Sequence, residues 1–597
     1  MRKPWSISTT VRNPERLRNF LRVLKQLENQ EFNETNQIKY QVLLIQEKFY
    51  TPQNVPQNFK RYYEQPVLRM PDEAAEEIFS VQNYEDPPMR GRQSANPLNK
   101  LGFAVAREGS GPISITELGN KFLAGDYDIG FIFFKSLLKL QFPNPWSTDF
   151  SEKEGFNIMP FVATMHLIER LNSKSSKKGL DKTEFSIFVP TLINANQIDE
   201  YTERILEFRK ETKKGKYISN FAKEFYQIKK VPDKKINNLS DYGDNIMRYF
   251  RLTRYFKITM DPLGYYWNVD LESSRKVEIE QLLDLYNGES MKFKELVDYQ
   301  NYLSNIAKPE LPWEKIENLR KVAVSLKNMI NDLLKAKNIQ VTQKEQELLS
   351  KDIQKFSKEQ LENYITASRK YNLEIKERLK KMQITGNVQK LEETIKTLRN
   401  AKRLKEYEPE QFEKLMTDAL KIINDEILIQ PNYPVDDDGE PISHAPRDKA
   451  DLECYYEAFK LVGEVTLNTG RLQWVQEGQP VMRHLRDFEI RNRDKDVFCI
   501  FVAPRIHNDT YSTFWSSMRY EYDGAQQRII PMTSEQFAVV LETLLELIKS
   551  GKRFSHRKLY DLYVQLVEES RKLNRFSEWG LYISEALEKW QQRIISL

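Results

Sequence analysis

Two short apolar runs near residue 450 each carry an acid where strands rarely keep one. Ala450-Asp451-Leu452-Glu453-Cys454-Tyr455-Tyr456 and Val462-Gly463-Glu464-Val465-Thr466 put Asp451 and Glu464 in or beside neighbouring strands, although acidic residues are depleted there. Like charges on adjacent strands repel unless something positive lies between them. A divalent cation meets that need, and Mg2+ takes oxygen ligands. Held there, it would activate water and stabilise the charge that builds on a scissile phosphate. The competing reading is a pair of solvent-facing acids on an edge hairpin. Asp448 and Glu453 are rivals for the ligand role, since Glu453 shares a face with Asp451 in a regular strand.

The elements that must position these acids follow from apolar spacing. The pattern predicts a helix over Glu410–Asn424, strands at Asp451–Tyr456 and Leu461–Thr466, and a helix over Leu472–Arg493. A buried strand at Val497–Ala503, another helix and a strand at Arg528–Met532 follow. This is the order of the PD-(D/E)xK nuclease core, in which an Asp and a Glu from neighbouring strands hold the metal. Two departures stand out: Ala450 where a proline usually precedes the Asp, and Thr466 where a lysine usually follows the Glu. Glu413, on the preceding helix, could face the metal or its surroundings. Glu477, on the following helix, could replace the missing lysine. Taken singly, each is more often just a helix-surface charge.

Basic residues upstream supply a second kind of chemistry. Arg90 and Arg92 lie in Met89-Arg-Gly-Arg, read as a loop, with Lys100 after it; Lys135 and Lys139 share a helix face at i, i+4. Arg248, Arg251 and Arg254 recur at three-residue steps between Tyr249, Phe250, Tyr255 and Phe256. A helix packed by its aromatic face would offer such a basic face to DNA phosphates or base edges. A solvated face is the alternative for each cluster.

The 597 residues suggest three or four domains at roughly 100–200 residues each. Aromatics at 12%, charged residues at 30% and a mean hydropathy of −0.64 describe a soluble chain with much solvated helix. The net charge of +5 is a small difference between 91 basic and 86 acidic residues, so local segregation matters more than the sum. Cys454 and Cys499, in apolar runs, read as reduced core thiols, which excludes a disulfide framework or a zinc site. The five histidines show no metal-ligand spacing. The N-terminus has no apolar signal core, and no run of ~18 apolar residues suggests a membrane span, so a reducing cytoplasm is expected.

Four segments emerge. Residues 1–155 contain a helix opened by Pro14, a long loop from Thr51 to Asn99, short strands at Leu101–Ala106 and Ile113–Ile115, and a helix capped by Thr116. Residues 156–290 carry helices around Met159–Leu171 and Gln197–Thr212, the helix bearing Arg248, a turn at Asp261–Gly264 and a strand at Tyr265–Val269. Both segments suit winged-helix-like modules. Residues 291–405 read as a helical linker, with Leu319, Val322, Leu326, Met329 and Leu333 at helical spacing. Residues 406–597 form the α/β cleavage domain. The fold class expected is multidomain and mainly α with α/β.

In this order the motifs resemble the AlwI-type type IIS restriction endonucleases and their nicking relatives. The resemblance spans nearly the whole chain. It is carried by Trp5-Ser-Ile-Ser-Thr-Thr-Val-Arg-Asn-Pro-Glu-Arg, Leu101-Gly-Phe with Ile115-Thr-Glu-Leu-Gly, Asn194-Ala-Asn-Gln-Ile-Asp-Glu, Arg248-Tyr-Phe-Arg-Leu-Thr, His444-Ala, Asp451-x-Glu453 and Gly463-Glu-Val-Thr. It implies a DNA-recognition half, a helical linker and a C-terminal cleavage domain. It also implies a short asymmetric double-stranded DNA site, cut a few base pairs outside by metal-activated water to leave 5′-phosphate and 3′-hydroxyl ends. By position it puts the catalytic carboxylates at Glu413, Asp451, Glu464 and Glu477, with Asp451 and Glu464 on the metal, and it makes Thr466 a family trait. Some relatives nick one strand and need a second subunit for the other. The resemblance also implies a bacterial cytoplasm.

Two other motifs lead elsewhere. Asp86-Pro-Pro-Met resembles the Asp-Pro-Pro-aromatic motif of amino-methyltransferases, but no Gly-x-Gly loop accompanies it, and a proline-rich turn is expected. No phosphate-binding Gly-x-x-x-x-Gly-Lys-Ser/Thr loop occurs. The alternatives to a site-specific nuclease or nickase are a DNA-binding regulator with a degenerate nuclease fold and a structural scaffold.

Overall fold

The computed structural model describes residues 2–8, 10–64, 68–125, 127–144, 150–260, 267–336, 341–384, 388–423, 426–446, 448–552 and 554–596. The chain divides into two compact units. One comprises Met1–Phe59, Arg69–Leu373 and Asp436–Glu440; the other comprises Lys60–Leu68, Glu374–Val435 and Pro441–Leu597.

The first unit is mainly helical. A two-stranded antiparallel hairpin, β1 (Ala104–Val105) and β2 (Ser114–Ile115), leads into the helix Glu117–Ala124. The Thr116 hydroxyl accepts the Gly119 N–H at 3.0 Å and starts that helix, as its cap position predicts. A three-stranded antiparallel sheet combines β3 (Leu180–Asp181), β4 (Phe256–Met260) and β5 (Trp267–Leu271), with β5 in the centre. The helices Lys182–Phe188 and Asp233–Leu252 belong to the same module. The expected turn at Asp261–Gly264, with Tyr265 and Tyr266 beyond it, lies outside the described residues.

The expected boundaries at 155/156 and 290/291 fall inside this unit, because its aromatic core runs across them. Trp5 is fully buried, with ring centroids 6.1 Å from Phe142 and 6.3 Å from Phe250. Phe134 meets Phe161 at 6.0 Å. Backbone bonds join Phe142 to Ile158 at 2.8 Å in both directions. The Met291 N–H donates to Gln141 Oε1 at 3.0 Å.

The long loop expected between Thr51 and Asn99 instead contains the helices Lys60–Glu64, Asp72–Ser80 and Pro87–Lys100. Proline and acid are helix starters here. Asp72 and Glu73 sit in a first turn, where the helix dipole favours negative charge. The Asp86 carboxylate accepts the Met89 N–H at 3.1 Å while Pro87 occupies the first helical position. Asp86-Pro-Pro-Met is thus a helix cap, and Arg90 and Arg92 are helical.

The second unit holds a five-stranded sheet in the order β10-β9-β8-β7-β6. The strands are β6 (Leu428–Pro431), β7 (Leu452–Tyr455), β8 (Phe459–Val465), β9 (Asp496–Ala503) and β10 (Ile529–Thr533). β6, β7 and β8 are antiparallel neighbours, whereas β8, β9 and β10 run parallel. The helices Pro409–Ile423, Arg471–Arg491 and Ser534–Lys549 pack with it. One apolar core includes Leu398, Leu404, Phe412, Cys454, Leu461, Cys499 and Phe537, so the expected boundary at 405/406 also falls within a unit. Both cysteines are free and buried. No helix among the described residues is long and apolar enough to cross a membrane.

Candidate active site

The β7–β8 register pairs Leu452 with Gly463, so the next step outward sets Asp451 directly opposite Glu464. Strand pleating points such partners to the same face. A Cβ at Gly463 would come within 2.7 Å of the Leu452 side chain, so glycine lets the two strands close next to the acids. One Asp451 carboxylate oxygen, Oδ2, accepts the Val465 N–H at 2.7 Å, which ties the loop end of β7 to β8.

Two helices bring further groups. Glu413 is buried on Pro409–Ile423, and its Oε2 accepts the Ala445 N–H at 3.0 Å. That contact gives His444-Ala445 a structural role. Arg471–Arg491 carries Glu477, half-buried, and His484, buried. His484 Nδ1 lies 2.8 Å from Glu464 Oε1. Glu477 and His484 are seven residues apart, two turns along one helix face.

The electrostatics describe acids crowded together. Burial pushes the Asp451 carboxyl well above its usual value, and the charges of Glu413, Glu464 and Glu477 push it further. Glu413 is likewise raised, first by burial and then by Glu410, Glu464 and Glu477. Glu464 is raised by burial, against the opposing pull of His484 and Arg483. Among the described residues no three His, Cys, Asp or Glu side chains converge closely enough to enclose a metal ion. The carboxylates therefore perturb one another's proton affinity without closing on a common point. Their chemistry fits a hard divalent cation: the donors are oxygens, and their ionised forms need positive charge beside them.

Rival acids are placed differently. Glu453 Oε1 accepts from Arg491 at 3.0 Å and its Oε2 from the Tyr455 hydroxyl at 2.8 Å. Asp448 is exposed. Thr466, at the usual lysine position, is buried; its hydroxyl accepts the Asn468 N–H at 3.3 Å.

The upstream cations do not form the open basic face expected of them. The ammonium of Lys100 is buried on Ser6 O at 2.9 Å, and that of Lys135 on Pro309 O at 2.6 Å. Lys139 donates to Leu303 O and Asn305 O, both at 2.7 Å, and burial lowers its pKa to about 7. Arg251 is buried, and Arg248 bonds Asp244 at 3.1 Å. The three-residue step fails at Arg254, because the helix ends at Leu252 and Arg254 has φ +63°. Its guanidinium grips Asp128 at 3.0 and 3.1 Å. Arg92 bonds Asp86 at 2.6 Å and Gln37 at 2.9 Å, while Arg90 stacks 4.4 Å from the Tyr84 ring centroid. Periodicity correctly placed Lys135 and Lys139 on one helix face, but that face turns inward.

His484 does not stand out in the sequence, because the five histidines have no metal-ligand spacing to one another. The signal was its heptad distance from Glu477.

The family model for the AlwI restriction endonuclease matches residues 99–540, about three quarters of the chain. No curated protein matches. Among solved structures, the small subunit of the heterodimeric restriction endonuclease R.BspD6I is 21% identical, covering 34% of this chain and 97% of its own, with a TM-score of 0.26. Restriction endonuclease FokI is 10% identical, covering 94% and 99%, with a TM-score of 0.23. Its DNA-bound form is 12% identical over the same shares, with a TM-score of 0.21. TM-scores this low define no common superposition. The family match, spanning the hairpin module, the Arg248 helix and all four carboxylates, shows that this chain belongs to the AlwI restriction endonuclease family and is a type II restriction endonuclease.

Proposed function

We propose that the protein is a type IIS restriction or nicking endonuclease. It binds a short asymmetric DNA sequence through winged-helix-like modules in the first unit. It hydrolyses a phosphodiester a few base pairs outside that site with a PD-(D/E)xK-type core in the second. The observation that carries this reading is the placement of Asp451 opposite Glu464 on adjacent strands, with the charges of Glu413, Glu464 and Glu477 all acting on Asp451.

Asp451 and Glu464 would hold Mg2+, which when bound lowers the pKa of water and offsets charge on the phosphate. The protein side of the site is derived from its own bonds. The Val465 N–H fixes one Asp451 oxygen, leaving the other as ligand. His484 fixes Glu464 in the same way. Glu413, anchored by the Ala445 N–H, is raised by burial and by neighbouring acids, so a cation bound beside it would favour its ionised form. In-line hydrolysis leaves a 5′-phosphate and a 3′-hydroxyl. One such site breaks one phosphodiester at a time, so cutting both strands calls for a second nuclease subunit or transient pairing of cleavage domains.

A catalytically degenerate DNA-binding protein is the second reading, favoured by the absence of a converged metal cluster among the described residues. Supercoiled plasmid with and without Mg2+ separates them. Nicked circles indicate a nickase, linear DNA indicates double-strand cutting, and unchanged plasmid supports the degenerate protein. Asp451→Ala should abolish cutting and retain specific binding; full activity in that variant would remove Asp451 from the site.

A further inference from the structure

With the expected cations buried or paired, the first unit's open positive charge lies elsewhere. Between Arg209 and Lys235 the chain carries ten Lys and Arg against three Asp and Glu. That local excess is larger than the net +5 of the whole chain. Lys210, Lys216, Lys223, Lys229, Lys230 and Lys234 are all exposed. Among the described residues none of the six forms an ion pair or a side-chain hydrogen bond. Two of the segment's three acids are engaged: Glu224 pairs with Arg204, and Glu211 accepts the Lys213 N–H at 2.8 Å.

The helix Lys214–Tyr226 explains why Lys216 and Lys223 point outward. Phe221, Ala222, Phe225 and Tyr226 are buried on one side. Phe221 meets Phe188 at 5.0 Å and Tyr201 at 6.0 Å, and Tyr217 meets Phe208 at 5.5 Å. Lys216, Asn220 and Lys223 recur at four and three on the opposite, exposed side. Lys216 and Lys223 are two turns apart, about 10.5 Å along the axis at 1.5 Å per residue. The aromatic side thus leaves the ammonium groups of Lys216 and Lys223 on the exposed side.

We infer that this lysine face, on Lys214–Tyr226 and its flanks, is a phosphate-contacting surface for duplex DNA. It rests on the chain's action on duplex DNA and names where the backbone is gripped. Unpaired, exposed cations on one helix and the segments flanking it can neutralise phosphates and release their counterions. Such contacts position the duplex without reading sequence.

The test is fluorescence anisotropy of the full chain on a labelled 30-base-pair duplex in EDTA across a salt series. The variant K216Q/K223Q/K230Q is compared with K335Q/K344Q/K358Q, an equal charge change on exposed lysines of the same unit. The first should bind specific and unrelated duplexes more weakly, and its slope of log K against log salt should fall by about 2–3, at 0.9 per phosphate. The second should leave the slope unchanged. Equal slopes for the first variant and the unmodified protein, or equal losses in both variants, would overturn the inference. Unmodified protein that binds no duplex would overturn the DNA-acting reading with it. Circular dichroism of both variants should match the unmodified chain, and a variant that loses helix is replaced by the single changes K216Q and K223Q.

Discussion

The imidazole Nδ1 of His484 lies 2.8 Å from Oε1 of Glu464, joining a helix to a strand across 20 residues of chain. Both side chains are buried. A ligand carboxylate held by such a partner keeps one orientation as its charge changes. Removing partners of this kind typically costs about 10–100-fold in metal affinity or activity. His484→Ala should therefore raise the Mg2+ concentration for half-maximal plasmid cutting by about that factor. His484→Asn, which keeps a donor near the Nδ1 position, should recover part of it. A lower melting temperature with an unchanged Mg2+ requirement would make His484 a packing residue only.

Glu453 and Glu464 lie on neighbouring strands, yet only Glu464 faces the crowded acids. Arg491 and Tyr455 already engage both Glu453 oxygens. Glu464→Gln should abolish cutting, whereas Glu453→Gln should stay within a few-fold of the unmodified enzyme. Initial rates of supercoil loss check this. The reverse ranking would move the proposed metal site from Glu464 to Glu453.

The raised carboxylates link stability to pH. Glu413, Asp451 and Glu464 bind protons more tightly folded than unfolded. Between their ordinary values and their raised ones, the folded chain holds more protons, so stability falls as pH rises. Without metal, the melting temperature of the C-terminal unit should drop from pH 5.5 to pH 8. Asp451→Asn should reduce that drop, and adding Ca2+ or Mg2+ at pH 8 should reverse it. A melting temperature that rises over this range in EDTA would contradict the crowded-acid description.

Lys139 is an internal strut. Its ammonium reaches two backbone carbonyls, Leu303 O and Asn305 O. Lys139→Met removes the donor and leaves those acceptors without it, which should cost about 1–3 kcal/mol. Chemical denaturation measures that loss. The salt slope of DNA binding should not move, in contrast to the lysine face on Lys214–Tyr226.

How much was legible depends on whether short-range spacing decides the outcome. Apolar periodicity placed the strands at 452–455 and 459–465 and the helices at 409–423 and 471–491 within a few residues. The helices at 72–80 and 87–100 were hidden because Pro71, Asp86 and Pro87 act as starters when acids or caps follow, yet resemble loop composition.

The acids, their order and the family are legible in the residues alone, because residue type and spacing survive translation into strands. Tertiary structure decided which charges are open. Helical spacing puts Lys135 and Lys139 on one face but does not say whether that face meets solvent or the carbonyls near residue 305. Burial depends on what packs against a helix, and that partner can lie more than 150 residues away, as it does for Lys139 and Leu303. Equally, only the strand register set Asp451 opposite Glu464, and only packing brought His484 to it.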